Sequence, residues 1–310
     1  MKPINKKSSI LIIGPGGVGG FLACLFWKVG FQVTCLCSER SYSLLEKEGF
    51  HLKSRRFGNF TAHPSCVKTL SFKPDLVVIA TKSSGLKDAL TSIDLDYLKE
   101  VPVIPLLNGF EHLELLRKSF HLTALMATIG QLEAFREKPN IFIHGTPSAV
   151  VTLSNEVDIN KAVFESVVEV FKALGLEVVI KTTDREVIWD KLTRLNAIAC
   201  TTAAYLKNVG EIRSDPTLLK QLRTVLQEGA AVAKADGVIV NVEKEMQKVL
   251  KVHEHMKTSL HRDVERGDIG ELDSLAGAII RKGNQYHLQC PELEKMVKKV
   301  RDNVFKSVRR

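Results

Sequence analysis

Ser9-Ile10-Leu11-Ile12-Ile13-Gly14-Pro15-Gly16-Gly17-Val18-Gly19 decides the fold of this chain. An apolar run suited to a buried strand ends in a glycine-rich turn. Apolar positions at helical spacing follow at Phe21, Leu22, Leu25, Phe26 and Val29. In that order, strand, turn and helix read as a dinucleotide-binding turn. Gly14 permits the tight turn, Gly16 lets the backbone approach a pyrophosphate, and Gly19 lets the helix pack close to the strand. The helix N-terminus then presents N–H groups and a positive dipole end to phosphate. Gly14, Pro15, Gly16, Gly17, Val18 and Gly19 are the first candidate cofactor-binding residues.

Outward from this turn, the N-terminal half alternates strands and helices. Residues 32–37 read as a second strand and 41–48 as a short helix capped by Ser41. Residues 75–80 and 101–107 are near-continuous apolar strands, as expected where both sheet faces are covered. Shorter strands follow at 122–129, 140–144 and 149–153, then an amphipathic helix at 160–174 stopped by Gly175, and a last strand at 176–181. After about Thr183 the pattern is helical only, at 184–203, 215–235, 242–266, 272–282 and 291–308. Asp215-Pro216 is a start signal, and Gly237 and Gly283 are stop signals. The expected class is α/β: an N-terminal Rossmann-type doubly wound parallel sheet (1–182) and an all-helical C-terminal substrate domain (183–310). The boundary is expected to form a cleft that receives the reactive end of the cofactor.

Composition narrows the function classes. Of 310 residues, 45% are hydrophobic and 25% charged, ordinary for a globular protein. No apolar run approaches the roughly 18 residues of a membrane span, and no cleavage signal follows the basic N-terminus. A net charge of +9 suits anionic small molecules. Much of it lies in the last helix (Lys295, Lys298, Lys299, Arg301, Lys306, Arg309, Arg310), read as a solvated face, and the aromatic platform of a single-strand binder is absent, so no nucleic-acid partner is expected. The cysteines (Cys24, Cys35, Cys37, Cys66, Cys200, Cys290) form no C-x-x-C pair and read as reduced core thiols of a cytoplasmic protein. His253, His255 and His261 fall in one predicted helical region without metal-ligand spacing, so no metal is expected.

Several residues could carry chemistry. At the end of the second strand, Ser38 and Arg40 suit a 2′-phosphate, whereas Glu39 would repel one if it pointed inward. Lys82 follows a strand end and could reach cofactor phosphate, or be a surface lysine. Asn108, before Gly109, could orient a carbonyl, or mark a turn. Lys191 follows Trp189-Asp190 in a helix and could snorkel. Glu271 begins a helix, where the dipole favours a carboxylate whatever its role. Pattern alone leaves these alternatives open.

The chain resembles the ketopantoate reductase (2-dehydropantoate 2-reductase) family over nearly its whole length. The resemblance rests on residues 14–19, Ala80-Thr81-Lys82, Leu107-Asn108-Gly109, Trp189-Asp190-Lys191-Leu192, Gly210-Glu211-Ile212-Arg213 and Ser259 followed by Glu271-Leu272-Asp273, in that order. It implies reduction of ketopantoate to pantoate with NADPH, a step toward pantothenate and coenzyme A. Lys191 would be the general acid, and Glu271 would hold it and contact the substrate hydroxyl. Ser259 would bind the substrate carboxylate, while Lys82 and Asn108 would sit on the cofactor, Asn108 toward the substrate. Trp189 would pack the helix that carries Lys191.

The chain departs from the family pattern where many members carry asparagines one and two helical turns after the lysine. Leu195 and Ala199 stand there, with Asn196 adjacent as a candidate substrate ligand; Met256 replaces a further asparagine. A more apolar 2-keto acid is therefore an alternative substrate, and a non-catalytic nucleotide-binding regulator is an alternative of another class. A homodimer is a candidate assembly.

Overall fold

The computed structural model describes residues 1–308, and the side chains of Lys306, Ser307 and Val308 together with Arg309 and Arg310 lie outside the described residues. Two compact units emerge, Met1–Leu107 with His112–Val187, and Asn108–Glu111 with the chain from Ile188 onward. The division falls at Val187, not at 182, and a four-residue segment from the first half belongs to the second unit.

In the first unit β1 (Ser9–Ile13) leads into α1 (Gly17–Lys28), β2 (Gln32–Leu36) and α2 (Glu39–Glu48). Then come β3 (Phe50–Ser54), β4 (Phe60–Ala62), β5 (Ser65–Val67), β6 (Leu76–Ile79), α3 (Leu86–Thr91), β7 (Pro102–Pro105), α4 (Glu111–Glu114) and β8 (Thr123–Ala124). The unit ends with β9 (Ala127–Gly130), β10 (Ala134–Lys138), β11 (Ile141–His144), β12 (Val150–Ser154), α5 (Lys161–Ala173) and β13 (Glu177–Lys181). The main sheet has the order β5-β2-β1-β6-β7-β8, and all its pairs are parallel. Numbered within that sheet, the order is 3-2-1-4-5-6, the doubly wound Rossmann arrangement. β1 runs through its middle, with Ile10 to Ile13 fully buried.

A single parallel sheet does not account for all the strands. β10-β11-β3-β4 form a mixed sheet and β13-β12-β9 a third. Strands β3, β4, β5 and β10 escape the sequence reading because they are short and partly polar, and the sheet that holds β3 and β10 closes through one remote pairing, β11 with β3. The register β11–β3 pairs His144 with Ser54, ninety residues apart. Helix α2 starts at Glu39, with Ser38 as its N-cap residue in place of the expected Ser41; Ser41 is buried one turn on, its hydroxyl 3.0 Å from that of Ser38.

The second unit is helical: most of α6 (Asp184–Tyr205), then α7 (Val209–Ser214), α8 (Pro216–Ala235), α9 (Val242–Leu250), α10 (Ser259–Glu265), α11 (Ala278–Gln285) and α12 (Pro291–Val308). Asp215 caps α8, and Gly237 at φ +94° follows its end. The helix expected over 242–266 is broken. Its middle carbonyls are claimed from outside: Arg213 donates to the Leu250 and Val252 oxygens, and the Val209 and Gly210 amides donate to Met256 and Glu254. Thr258 then caps a new helix by accepting from the His261 amide at 3.2 Å. His253 and His255 thus lie in the connector, apart from the helix that holds His261. Gly283 does not stop α11. It sits inside that helix where a Cβ would meet Leu288 O at 3.0 Å and Val232 at 3.2 Å, so it serves close packing. All six cysteines are buried and free. Among the described residues no helix is long and apolar enough to cross a membrane.

Candidate active site

Lys191, Asn108 and Glu271 come from three distant parts of the sequence and meet in the second unit. Asn108 follows β7 after the buried Leu106 and Leu107. Gly109 then turns the chain at φ +86°, where a Cβ would lie 2.2 Å from the Ser274 carbonyl oxygen. Only glycine fits both conditions, and this close approach brings Asn108 to the segment that carries Glu271. Glu271 itself precedes a π-helical turn at Asp273–Gly277, where the helix accommodates one extra residue per turn.

The side chains form one relay. Lys191 Nζ donates to Asn108 Oδ1 at 2.8 Å, and Asn108 Nδ2 donates to Glu271 Oε2 at 2.9 Å. An amide matches an ammonium on one side and a carboxylate on the other only in this orientation. Burial pushes the Lys191 ammonium down to about 8; the Glu271 charge opposes that shift, and Arg194 adds to it. A lysine so placed is a cation at neutral pH that gives up its proton far more readily than a surface lysine. The arrangement can hold a developing oxyanion and then protonate it.

Other residues singled out from the sequence take different places. Leu195 and Ala199 continue the Lys191 stripe along α6, Leu195 half-buried and Ala199 buried. Asn196 lies about 140° around the helix from Lys191. It is fully buried, its Oδ1 accepts from the Cys200 thiol at 3.3 Å, and its Nδ2 has no partner. The structure does not bring it to the lysine. Ser259 is exposed in the first turn of α10, next to Thr258, whose hydroxyl lies 3.4 Å from that of Thr202. Thr202 is three turns beyond Lys191 on the same stripe.

In the first unit the glycine turn has the shape that its sequence implies. Gly14 adopts φ +82°, and a Cβ there would lie 2.5 Å from the Thr81 side chain. At Gly19 a Cβ would meet Gly14 O at 2.3 Å and Ala80 Cβ at 3.1 Å. Gly17 has a constraint that the motif does not reveal: a Cβ would lie 2.6 Å from Ala134 O in β10. Pro15 is buried and Val18 half-buried against the core. Gly16 is the N-cap residue of α1 and supplies no side-chain acceptor, and no acidic residue occupies the first turn. The first-turn N–H groups therefore remain for an anion. Beside the turn, the Thr81 hydroxyl is buried without a hydrogen-bond partner. This cradle fits a dinucleotide pyrophosphate.

At the end of β2, Ser38 and Arg40 are exposed. Glu39 pairs with Lys68 at 2.5 Å, so a cation engages the carboxylate that would oppose a 2′-phosphate. Lys82 is exposed just past β6.

Two family models match the chain: ketopantoate reductase PanE/ApbA over residues 10–155, and the C-terminal domain of the same family over 183–303. An uncharacterized oxidoreductase, YkpB, of Bacillus subtilis is 26% identical over 92% of this chain and 95% of its own length. A 2-dehydropantoate 2-reductase of Pyrococcus horikoshii is 25% identical over 91% and 93%. Among solved structures, a D-mandelate dehydrogenase with NADH and anilino(oxo)acetate superposes with a TM-score of 0.86 at 19% identity, over 96% of this chain and 99% of that one. A PanE/ApbA family ketopantoate reductase of Ralstonia eutropha gives 0.83 at 22% identity, with the same coverage. With both of its halves matched by the family models, the chain belongs to the ketopantoate reductase PanE/ApbA family.

Proposed function

We propose that this protein is an NADPH-dependent 2-keto acid reductase that converts ketopantoate to pantoate. The relay from Lys191 through Asn108 to Glu271 carries this reading. Reduction of a ketone at C2 builds negative charge on its oxygen, and the enzyme must stabilise and then protonate that oxygen. Lys191 is the proton donor. Asn108 aims its ammonium, and Glu271 orients the amide and contacts the substrate hydroxyl. Ser259 takes the substrate carboxylate. The backbone of residues 14–19 and Lys82 hold the cofactor, which supplies hydride when bound. The protein is cytoplasmic and a homodimer, and serves pantothenate and coenzyme A synthesis.

Cofactor preference is set at Ser38 and Arg40. Exchanging Arg40 for alanine is expected to raise the KM for NADPH about tenfold or more, the worth of a charge-assisted hydrogen bond. The KM for NADH should stay constant. Steady-state kinetics with both cofactors checks this, and an unchanged NADPH affinity would remove Arg40 from the site.

A second reading draws on the stripe beyond Lys191. Leu195 and Ala199 offer hydrocarbon where a hydroxylated substrate would want hydrogen bonds. A site without polar partners cannot favour a substrate hydroxyl. The deciding experiment is NADPH oxidation with ketopantoate beside 2-keto acids of branched aliphatic and aromatic side chain. Preference for ketopantoate supports the first reading, and preference for an apolar keto acid the second. NADPH binding with no turnover of any of them would leave a nucleotide-binding regulator.

A further inference from the structure

Asp236 lies at the end of α8, remote in sequence from Lys191 and only 3% exposed. A buried carboxylate is costly unless its oxygens are satisfied. Here both are. Oδ2 accepts from the Trp189 indole Nε1 at 2.8 Å, and Oδ1 accepts from the Tyr286 hydroxyl at 2.7 Å. The Lys282 ammonium is 3.4 Å from Oδ1 and also stands over the Phe110 ring, 5.5 Å from its centroid. Phe110 in turn touches Trp189, with ring centroids 6.1 Å apart.

These contacts reach two of the three chain segments that build the relay, those of Lys191 and Asn108. Trp189 is two residues before Lys191, about 200° around α6, so it pins the back of the helix whose front carries the lysine. Phe110 is two residues after Asn108. We propose that Asp236 is a positioning residue for the proton donor. It locks the rotation of α6 through the Trp189 indole, and it holds Phe110, and with it the Asn108 turn, through Lys282.

The physical stake is geometric. An ammonium at the end of a lysine stands well outside the helix radius, so a small rotation of α6 displaces it by about 1 Å, enough to cost on the order of 100-fold in rate. The inference rests on Lys191 as the donor, and its test has a readout that needs no turnover.

The variants are Asp236→Leu, which keeps the side-chain shape and removes the acceptors, and Trp189→Phe, which removes the indole N–H without changing charge. Tyr286→Phe is the control, because it leaves the bond from Trp189 to Oδ2. Lysine labelled with 13C at Cε, with the Lys191 resonance assigned by its loss in Lys191→Arg, is titrated by NMR in each protein. In the wild type this resonance is expected to titrate near 8, where burial holds the ammonium. In the first two variants it should move upward by about one unit as the ammonium escapes burial toward the solvent value. Simple loss of the Asp236 charge would move it down. The kcat for 2-keto acid reduction should fall about 10- to 100-fold with the cofactor KM held, and Tyr286→Phe should match the wild type in both.

A wild-type titration in both variants overturns the proposal even if kcat falls, because that outcome describes a loosened core. Unchanged kcat overturns it as well. If Asp236→Leu does not fold, Trp189→Phe decides alone. A wild type that reduces no 2-keto acid sinks the reductase reading instead, and the titration still decides the anchor.

Discussion

Lys191→Ala is expected to lower kcat for 2-keto acid reduction by about 10²–10⁴-fold, the range for losing a positioned general acid. Alanine removes both the charge beside the forming alkoxide and the proton that quenches it. The KM for the cofactor should hold, since the glycine turn is untouched. Lys191→Arg should rescue little. A guanidinium keeps the charge but does not release a proton near neutral pH. The wild-type pH profile follows from the same lysine. The donor must be protonated, and burial holds it at about 8, so kcat should be level below that pH and fall above it. An ordinary lysine would carry activity about two units higher. Initial rates across pH check the limb, and a limb near 10 would mean that burial does not lower the donor's proton affinity.

Gly19→Ala is expected to abolish productive cofactor binding and destabilise the first unit. The added methyl would lie 2.3 Å from the Gly14 carbonyl oxygen, a backbone atom of the turn itself. The clash is relieved only by moving α1 off β1, which opens the cradle of N–H groups. Overpacking of this kind costs about 1–3 kcal/mol. Dinucleotide affinity should drop at least tenfold, because the N-terminus of α1 and the turn no longer converge on one phosphate group. Gly85→Ala is the control. Nothing lies within 4 Å of its Cβ, so both Tm and affinity should stay at the wild-type value. Fluorescence titration of the reduced cofactor and thermal unfolding read the two effects separately. Wild-type affinity in Gly19→Ala would remove the turn from the cofactor site.

Legibility of the chain follows the range of the forces involved. The turn at Gly14 to Gly19, the central strands and the helical second half were readable, because each is encoded within a few residues of itself. The mixed sheet was not. β3 and β10 are short and β10 is largely exposed, so neither leaves a strand pattern, and the sheet closes through the pairing of β11 with β3, ninety residues back along the chain. The break between α9 and α10 was hidden for the same reason, since the donors that interrupt it belong to Arg213, Val209 and Gly210.

The site divides along the same line. Local pattern and resemblance together singled out Lys191, Asn108 and Glu271 as chemistry-bearing residues, and placed Glu271 directly on the lysine. The structure puts the Asn108 amide between the two, bridging 83 residues on one side and 163 on the other. It also assigns residues 108–111 to the helical unit, where Glu111 pairs with Arg281 at 2.6 Å. The sequence by itself determined the strand–turn–helix at the N-terminus, the helical character of the second half and the family, because backbone preference and periodicity act over a few residues. Which side chain touches which, the lowered proton affinity of Lys191, and the burial of Asp236 behind Trp189 were decided by tertiary structure alone. They depend on desolvation and on contacts across the fold, and neither leaves a periodic trace in the order of the residues.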